Sequence, residues 1–203
     1  MHKTVLVSGP SVEPITTAEA KTHLNISSST HDTYIGTLIT SARRQVETYL
    51  NRALITQSWK VYYDCWKHEL LIPFGRLQVV SASPGPASPV VKYYDINGTQ
   101  QTLTESDYYW VVTTTDPGRI VRKYDATYPE LQYGRPDAIE IAFTAGYGAA
   151  ATAIPDEIKH AIKLLITNYY EHRGDIVIGA GAKVNKIPGH VTDLLHPYKL
   201  YQF

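Results

Sequence analysis

The spacing of apolar residues changes twice along this chain, and that change limits the folds open to it. Apolar residues recur every three or four positions over residues 32–51 and again over residues 155–173. Over residues 55–145 they alternate with polar residues instead. The first spacing predicts amphipathic helices, and alternation predicts half-buried strands. The pattern therefore predicts two long helices separated by a block of strands.

Capping residues predict where the helices begin. Thr16 and Glu19 have the spacing of a capping box, which predicts a short helix directly after Thr16. Ser29, three residues before Asp32, is a second capping signal for the helix over residues 32–51. Pro155 suits the first position of the last long helix, and Gly174 suits its end.

Turn residues divide the middle block into short strands. Asn97-Gly98 predicts a hairpin with a type I′ turn, and Asp116-Pro117-Gly118 predicts a second turn. A proline-rich breaker covers residues 83–89. Short strands with frequent turns favour an antiparallel sheet or small barrel over alternating strands and helices with a parallel sheet.

These elements predict an α+β fold: a small antiparallel helical bundle with a long antiparallel β-sheet insertion and an extended C-terminal tail. The predicted parts are an N-terminal helical part of the core (1–54), a β-rich inserted lobe (55–150), a C-terminal core helix (151–174) and the tail (175–203). The tail has apolar residues but no clear period. Packing on another subunit and folding back on the chain's own helices are equally compatible with this composition.

Charge and cysteine content exclude several functions. The 203 residues include 19 Lys and Arg and 19 Asp and Glu, so the net charge is zero. Non-specific nucleic-acid binding needs a basic surplus, which is absent. The single cysteine, Cys65, allows neither an intrachain disulfide nor a multi-cysteine metal site. No run of 18 apolar residues exists, so no membrane span is expected.

No residue pattern predicts catalysis, cofactor binding or metal binding. Glu157 and His160 have the spacing found in di-iron bundles, but such sites need a second pair and two further carboxylates. The glycine-rich residues 179–183 lack the P-loop pattern, and a linker is the better interpretation. A strip of basic and aromatic residues in the strand block is interrupted by acids, which favours a solvated face or an interface over single-strand binding. Its members are Arg119, Arg122, Lys123, Tyr124, Tyr128, Tyr133 and Arg135.

Several segments, in their order along the chain, resemble the head–tail connector (adaptor, head-completion) proteins of tailed bacteriophages and prophages. They are residues 14–24, 35–43, 49–57, 144–148, 154–155, 168–173, 187–189 and 194–199. Each segment is weak alone, but their shared order covers nearly the whole chain. The matching segments are helix boundaries and interface surfaces, so the resemblance carries over no catalytic residue.

The resemblance implies a non-enzymatic structural protein of the virion neck that is made in the host cytoplasm. Such proteins form a homo-oligomeric ring of about twelve copies under the portal protein. The ring extends the DNA channel and docks the next neck or tail-completion protein, without sequence-specific DNA contact and without a membrane. A zero net charge suits such a ring, since a strongly basic lumen would hold the DNA.

The resemblance also implies two sets of contact residues. The tail is expected to bind the portal through Ile187, Pro188, Leu194, Leu195, Pro197, Tyr198, Lys199, Tyr201 and Phe203. The ring interface is expected on the exposed faces of the two long helices, at Arg43, Arg44, Glu47, Lys159, Lys163, Glu171 and Arg173. The strand block is expected to form an outer or tail-facing lobe.

Two other functions remain open at this point. The 16 tyrosines and three tryptophans could form a carbohydrate-binding or adhesion module, with Trp59, Trp66 and Trp110 as stacking platforms. An enzyme could assemble its site from Glu157, His160 and His172. Helix capping and the many matching segments favour the connector interpretation over both.

Overall fold

A computed structural model of the chain describes residues 3–75, 77, 89–112, 117–172 and 188–201. These residues fall into two compact units. The sheet unit takes its residues from 1–10 and 56–147, and the helical unit takes its residues from 11–55 and 148–201.

The sheet unit has eight strands and one short helix in the described part of the chain. The strands are β1 (Lys3–Ser8), β2 (Gln57–Tyr63), β3 (Glu69–Ile72), β4 (Val90–Tyr94), β5 (Gln100–Leu103), β6 (Tyr109–Val112), β7 (Gly118–Arg122) and β8 (Ile139–Ala145). The helices of both units are α1 (Thr17–Leu24), α2 (Asp32–Leu50), α3 (Glu105–Tyr108), α4 (Asp156–Glu171) and α5 (Gly189–Leu195). Helix α3 belongs to the sheet unit and the other four to the helical unit.

The strands form two antiparallel sheets. The larger has the order β1-β2-β8-β4-β5, and the smaller has the order β3-β7-β6. Strand β8 is the middle strand of the larger sheet, and its alternate residues Ile139, Ile141 and Phe143 are buried on one face. This is the alternation that its sequence predicts. The predicted combination of helices with antiparallel sheet is confirmed.

Strand β1 corrects one predicted boundary. Residues 1–54 were assigned to the helical part of the core, but Lys3–Ser8 pairs antiparallel with β2 in the larger sheet. No local signal predicts this pairing, because the paired residues are 50 or more positions apart in the chain. A pairing that distant depends on tertiary contacts rather than on turn residues.

The β4–β5 hairpin forms where predicted, but its turn type differs. Gly98 has a φ of +78°, whereas Asn97 stays outside the left-handed region that a type I′ turn requires of both residues. The Asp95 carboxylate accepts hydrogen bonds from the backbone N–H groups of Asn97 (2.9 Å) and Thr99 (3.0 Å). These bonds and one from Gln101 lower the pKa of Asp95. The aspartate therefore stabilises a turn in which only glycine takes a positive φ.

Helices α2 and α4 pack against each other, as their apolar stripes predict. The buried residues of α2 recur at helical spacing: Ile35, Leu38, Ile39, Ala42, Val46 and Leu50. Those of α4 do the same: Ile158, Ala161, Ile162, Leu165 and Ile166. Each fully buried leucine or isoleucine contributes about 1.5–3 kcal/mol relative to exposure, so this contact dominates the helical unit.

The helix boundaries follow the capping residues in part. The capping box is confirmed: Glu19 N–H donates to Thr16 Oγ1 (3.2 Å), and Thr16 N–H donates to Glu19 Oε2 (2.8 Å). The Ser29 cap is wrong, because α2 begins after His31 without a side-chain capping bond. Helix α4 ends at Glu171 with His172 as its C-cap, and Gly174 lies outside the described residues.

Replacing Thr16 with alanine should lower the free energy of unfolding by about 1 kcal/mol at neutral pH. Hydrogen bonds from Thr16 lower the pKa of Glu19 in the folded chain. The ionised Glu19 therefore stabilises the fold above its unfolded pKa of about 4.3, and this part is lost as the pH falls further. Urea unfolding should show a smaller effect of Thr16→Ala at about pH 3 than at neutral pH.

Thr48→Ala is the matched control for this prediction, since Thr48 is an exposed helical threonine whose hydroxyl donates to the carbonyl of Arg44 within the same helix. It should leave stability within about 0.5 kcal/mol of wild type. An equal loss for both variants, or a pH-independent loss for Thr16→Ala, would contradict the role of the capping box.

Among the tyrosines whose pKa is raised by burial, two are shifted far enough to ionise late in an alkaline titration. Burial raises the pKa of Tyr63 to about 12, and burial followed by the charge of Glu105 does the same for Tyr109. Tyr63 also donates its hydroxyl hydrogen to the Leu71 carbonyl. Because the folded pKa of Tyr63 is raised, its protonated hydroxyl stabilises the fold in full below the unfolded pKa near 10. This contribution is lost as the pH rises towards 12.

Tyrosinate absorbance should therefore show a late step that is smaller in Tyr63→Phe. Tyr133→Phe is the matched control, because it removes the same hydroxyl from a fully exposed tyrosine. A Tyr63→Phe titration identical to wild type in its late step would contradict the assignment.

Candidate functional site

The residues 188–201, here called the C-terminal segment, fold onto the helical unit. Helix α5 starts after Pro188, and a 3-10 turn at His196–Tyr198 follows it. Val191 and Leu195, four residues apart, are fully buried, and Leu200 is buried with 4% of its surface exposed. Helix α5 packs against α4. The predicted extended tail is wrong for this segment, and its folding back on the chain's own helices is what the structure shows.

Hydrogen bonds fasten the segment to the end of α2. Leu200 N–H donates to the Leu50 carbonyl (2.8 Å), one of the last carbonyls of α2 that lack a helical partner. Asn51, in the left-handed conformation that ends the helix, donates from Nδ2 to the Leu200 carbonyl (3.1 Å). Arg52 Nε donates to the Tyr198 carbonyl (2.6 Å). The segment therefore satisfies one backbone carbonyl that the helix end leaves open, and it accepts two side-chain hydrogen bonds from the residues that follow the helix.

Side chains add three further contacts on the surface of the helical unit. The Tyr198 hydroxyl donates to Glu157 Oε2 on α4 (3.0 Å). The Lys199 ammonium lies over the Tyr49 ring, 4.5 Å from its centroid. The Tyr201 hydroxyl bonds His196 Nε2 (2.8 Å). The segment thus has one face built into the helical unit and one polar and aromatic face at its surface.

The predicted portal-binding residues divide between these two faces. Leu195 is fully buried, so its side chain cannot contact a partner protein while the segment is docked. Pro188, Leu194, Tyr198 and Lys199 are half-buried, whereas Pro197 and Tyr201 are exposed. Ile187 and Phe203 lie outside the described residues.

Arg43 corrects the predicted exposed face of α2. It was expected on the surface with Arg44, but it is only 5% exposed. Its guanidinium donates to both carboxylate oxygens of Glu13 (2.7 and 3.3 Å) and to Glu47 Oε2 (2.7 Å). Burial by itself lowers the pKa of Arg43, but the bonds and charges of Glu13 and Glu47 outweigh it and raise the pKa.

The two carboxylates hold further parts of the helical unit. Glu13 Oε1 accepts from Thr40 Oγ1 (3.0 Å), and Glu47 Oε1 accepts from Leu54 N–H (3.0 Å). Arg43 and Glu47 are therefore committed to a network inside the chain. That network joins the segment before α1, the middle of α2 and the residues after α2.

The other predicted ring-interface residues lie on helix surfaces. Arg44 and Glu171 are exposed, and Lys163 is half-buried. Lys159 pairs with Asp156 one turn earlier on α4 (2.6 Å). Arg173 lies outside the described residues.

The residues of the enzyme hypothesis are not brought together. Glu157 accepts from Tyr198, and His160 lies edge-on to His23 with ring centroids 6.3 Å apart. His172 is twelve residues beyond His160, about 18 Å along the helix axis. In the part of the chain that the structure describes, no group of three His, Cys, Asp or Glu residues could hold a metal ion.

The comparison with known protein families decides between the remaining interpretations. The sequence model of the family described as "head completion protein" matches residues 13–201. The chain belongs to the head completion protein family. The sequence-based resemblance is therefore confirmed, and this head completion protein is a structural component of a phage-like virion. No curated protein matches the chain.

Solved structures show the same fold as this head completion protein. A chain in the "neck of empty GTA particle computed with C6 symmetry" has a TM-score of 0.77 and 22% identity, covering 99% of this chain and 97% of its own. A chain of the native gene transfer agent (GTA) virion has a TM-score of 0.74 and 21% identity, covering 98% and 96%. A chain in the "neck of native GTA particle computed with C12 symmetry" has a TM-score of 0.70 and 23% identity, covering 100% and 97%.

The tryptophans of this head completion protein do not form three open platforms. Trp59 stacks on Phe74 with ring centroids 4.1 Å apart. Trp66 stacks on Tyr128 at 4.3 Å and donates from Nε1 to the Pro129 carbonyl (2.8 Å). Only Trp110, 54% exposed, presents a largely open ring among the three. Sugar stacking needs an open ring face, so the observed packing does not favour the carbohydrate-binding alternative.

The predicted basic and aromatic strip is likewise divided. Arg119 pairs with Glu69 (2.9 Å), and the Arg135 guanidinium lies 3.5 Å from the centroid of the Tyr94 ring. Tyr124 and Tyr133 are fully exposed.

Among the helices that the structure describes in this head completion protein, none combines the length and the apolar character needed to cross a bilayer.

Proposed function

We propose that this head completion protein is a non-enzymatic neck component that forms a ring under the portal, extends the DNA channel and docks the next neck or tail-completion protein. The family match over residues 13–201 carries the proposal. The fold shared with neck chains of GTA particles supports the position in the neck. The cyclic symmetries named for those necks support a ring, for which about twelve copies is the expected number.

A ring closes through heterologous contacts, in which one surface of a copy meets a different surface of the next. On the helical unit, Arg44 of α2 and Glu171 of α4 are exposed charges of opposite sign. Lys159 and Lys163 are half-buried on α4. These four residues remain the proposed helical contribution to the ring interface, whereas Arg43 and Glu47 support it from within.

The portal contact is proposed for the exposed face of the C-terminal segment. Pro197 and Tyr201 are exposed there, and Lys199 lies between them with its ammonium over aromatic rings. Aromatic side chains such as that of Tyr201 are enriched in the cores of protein interfaces. The buried face of the same segment fixes their position, so binding the portal does not require the segment to order first.

DNA passage is proposed to be non-specific and weak. The chain carries equal numbers of acidic and basic residues, so a ring of it has no net attraction for phosphate. A channel must let DNA enter and leave, and a net basic ring would slow that movement.

Phage particles made without this protein provide the test. We expect DNA-filled heads that lack tails and lose DNA, and tail attachment should return when the purified chain is added. Pro197→Ala/Tyr201→Ala should fail to restore attachment, whereas the control Thr48→Ala should restore it fully. Normal tailed particles in the absence of the protein would contradict the proposed function.

A further inference from the structure

The larger sheet has two edge strands, β1 and β5. Among the described residues, neither strand pairs with anything on its outer side. Every second residue of an edge strand directs its N–H and C=O groups away from the sheet. Both edges therefore present a row of hydrogen-bonding groups on which another strand can pair.

Strand β1 has one device that protects an edge, a register shift between Leu6 and Ser8, but it contains no proline and a single charge. It is six residues long, and Val5, Leu6 and Val7 are 39%, 46% and 57% exposed. Lys3 at its start is its only charged residue. Natural edge strands are usually short, charged or interrupted by proline, because an open apolar edge promotes pairing between chains. This edge has the properties of a strand that is covered in the assembled state.

The strand order fixes which edges can meet in a ring. Each strand of the five is antiparallel to its neighbour, so β1 and β5 run in the same direction. A rotation about an axis along the strands keeps that direction. Consecutive copies in a ring then meet with β1 of one parallel to β5 of the next.

We propose that β1 of one copy pairs in parallel with β5 of the next copy, so that the larger sheets of the neck ring form one continuous sheet. This inference rests on the proposed ring and names its contact. Strand β5 suits the role because Gln100, Gln101 and Thr102 are exposed and polar. The outward N–H and C=O groups of β5 can pair with the next copy, whose β1 contributes the exposed side chains of Val5, Leu6 and Val7.

The strand spacing sets the size of such a ring. Five strands spaced about 4.8 Å apart span roughly 24 Å per copy. Twelve copies then give a circumference of roughly 290 Å and a radius of roughly 46 Å. The alternative pairing, β1 with β1 around a twofold axis, is antiparallel and closes at a dimer. It uses up the β1 edge of both copies and cannot build a ring.

Crosslinking tests the pairing in the full chain. Cys65 is exposed and is first replaced by serine. Val5→Cys and Thr102→Cys are then made singly and together, and a short bis-maleimide is added to the free chain and to the chain mixed with its portal. The double variant should give a ladder of covalent oligomers. The two single variants should give a covalent dimer only when mixed with each other.

The control replaces Val12 instead of Val5, because Val12 is 44% exposed but lies outside β1. Val12→Cys should give no dimer with Thr102→Cys. Lysine variants test the same edge by light scattering of the chain mixed with its portal. Val5→Lys/Val7→Lys should lose the ring-sized gain in mass, and Val12→Lys should keep it.

The outcomes separate this inference from the proposed function. A ring-sized mass without a ladder overturns the edge pairing and leaves the neck function standing. A covalent dimer of Val5→Cys with itself overturns it in favour of the twofold pairing. The absence of both a ring mass and a ladder overturns the edge pairing and the proposed function together.

Discussion

Arg43→Ala should lower the free energy of unfolding of the helical unit by about 3–5 kcal/mol. The substitution leaves Glu13 and Glu47 without the cation that compensates them, and the Glu47 side chain is only 14% exposed. Removing one partner of a buried pair is costly because the remaining charge stays desolvated. The bonds from Thr40 and Leu54 to these carboxylates should weaken as well.

Urea unfolding followed by the helical circular dichroism signal measures this loss. Tryptophan fluorescence is the wrong signal, because Trp59, Trp66 and Trp110 all lie in the sheet unit. Arg44→Ala is the control, since Arg44 is the exposed neighbour of Arg43. It should change stability by less than about 0.5 kcal/mol. Equal effects of the two substitutions would mean that the Arg43 network does not hold the helical unit together.

The second large effect is expected at Leu195, where alanine should cost about 2–5 kcal/mol. Leu195 is fully buried between α5 and the rest of the helical unit. Leu194, its neighbour on the same helix, is half-buried. Leu194→Ala should therefore cost about 1 kcal/mol or less. If the segment were instead a free arm, both leucines could be truncated without loss of stability, and the docked arrangement would be wrong.

The same pair of variants bears on the portal contact. Leu195→Ala acts through the docking of the segment, whereas Pro197→Ala/Tyr201→Ala removes exposed side chains only. A portal surface on the exposed face predicts that the double variant keeps its stability and loses portal binding.

Periodicity in the sequence predicts most of the secondary structure of this chain. The stripes of α2 and α4 and the alternation in β8 each place buried residues at the period of the element. Such patterns are local and strong, so they are visible without tertiary information. The capping box at Thr16 is equally local and is confirmed.

The features that the sequence analysis missed depend on distant partners. Arg43 is buried because Glu13, 30 residues earlier, supplies a bidentate carboxylate, and hydrophobic periodicity cannot detect a buried ion pair. Strand β1 depends on β2, and the C-terminal segment depends on the end of α2. A signal for α5 was present in Pro188-Gly189 followed by Val191 and Leu195 four residues apart. A helix this short is stable only when docked.

The predicted portal-binding and ring-interface residues also depend on tertiary packing. Family resemblance placed contact residues on the long helices and the tail, but exposure depends on packing that the motifs do not specify. Glu171 and Tyr201 are exposed as those roles require, whereas Arg43 and Leu195 are buried.

Light scattering of the purified chain mixed with its portal protein tests the central claim, that this head completion protein forms a ring on the portal. Twelve copies of the 22.7 kDa chain would add roughly 270 kDa to the portal mass. We expect a gain of that order, which Pro197→Ala/Tyr201→Ala abolishes and Thr48→Ala retains. A chain that remains a 22.7 kDa monomer beside a portal of unchanged mass would contradict the ring.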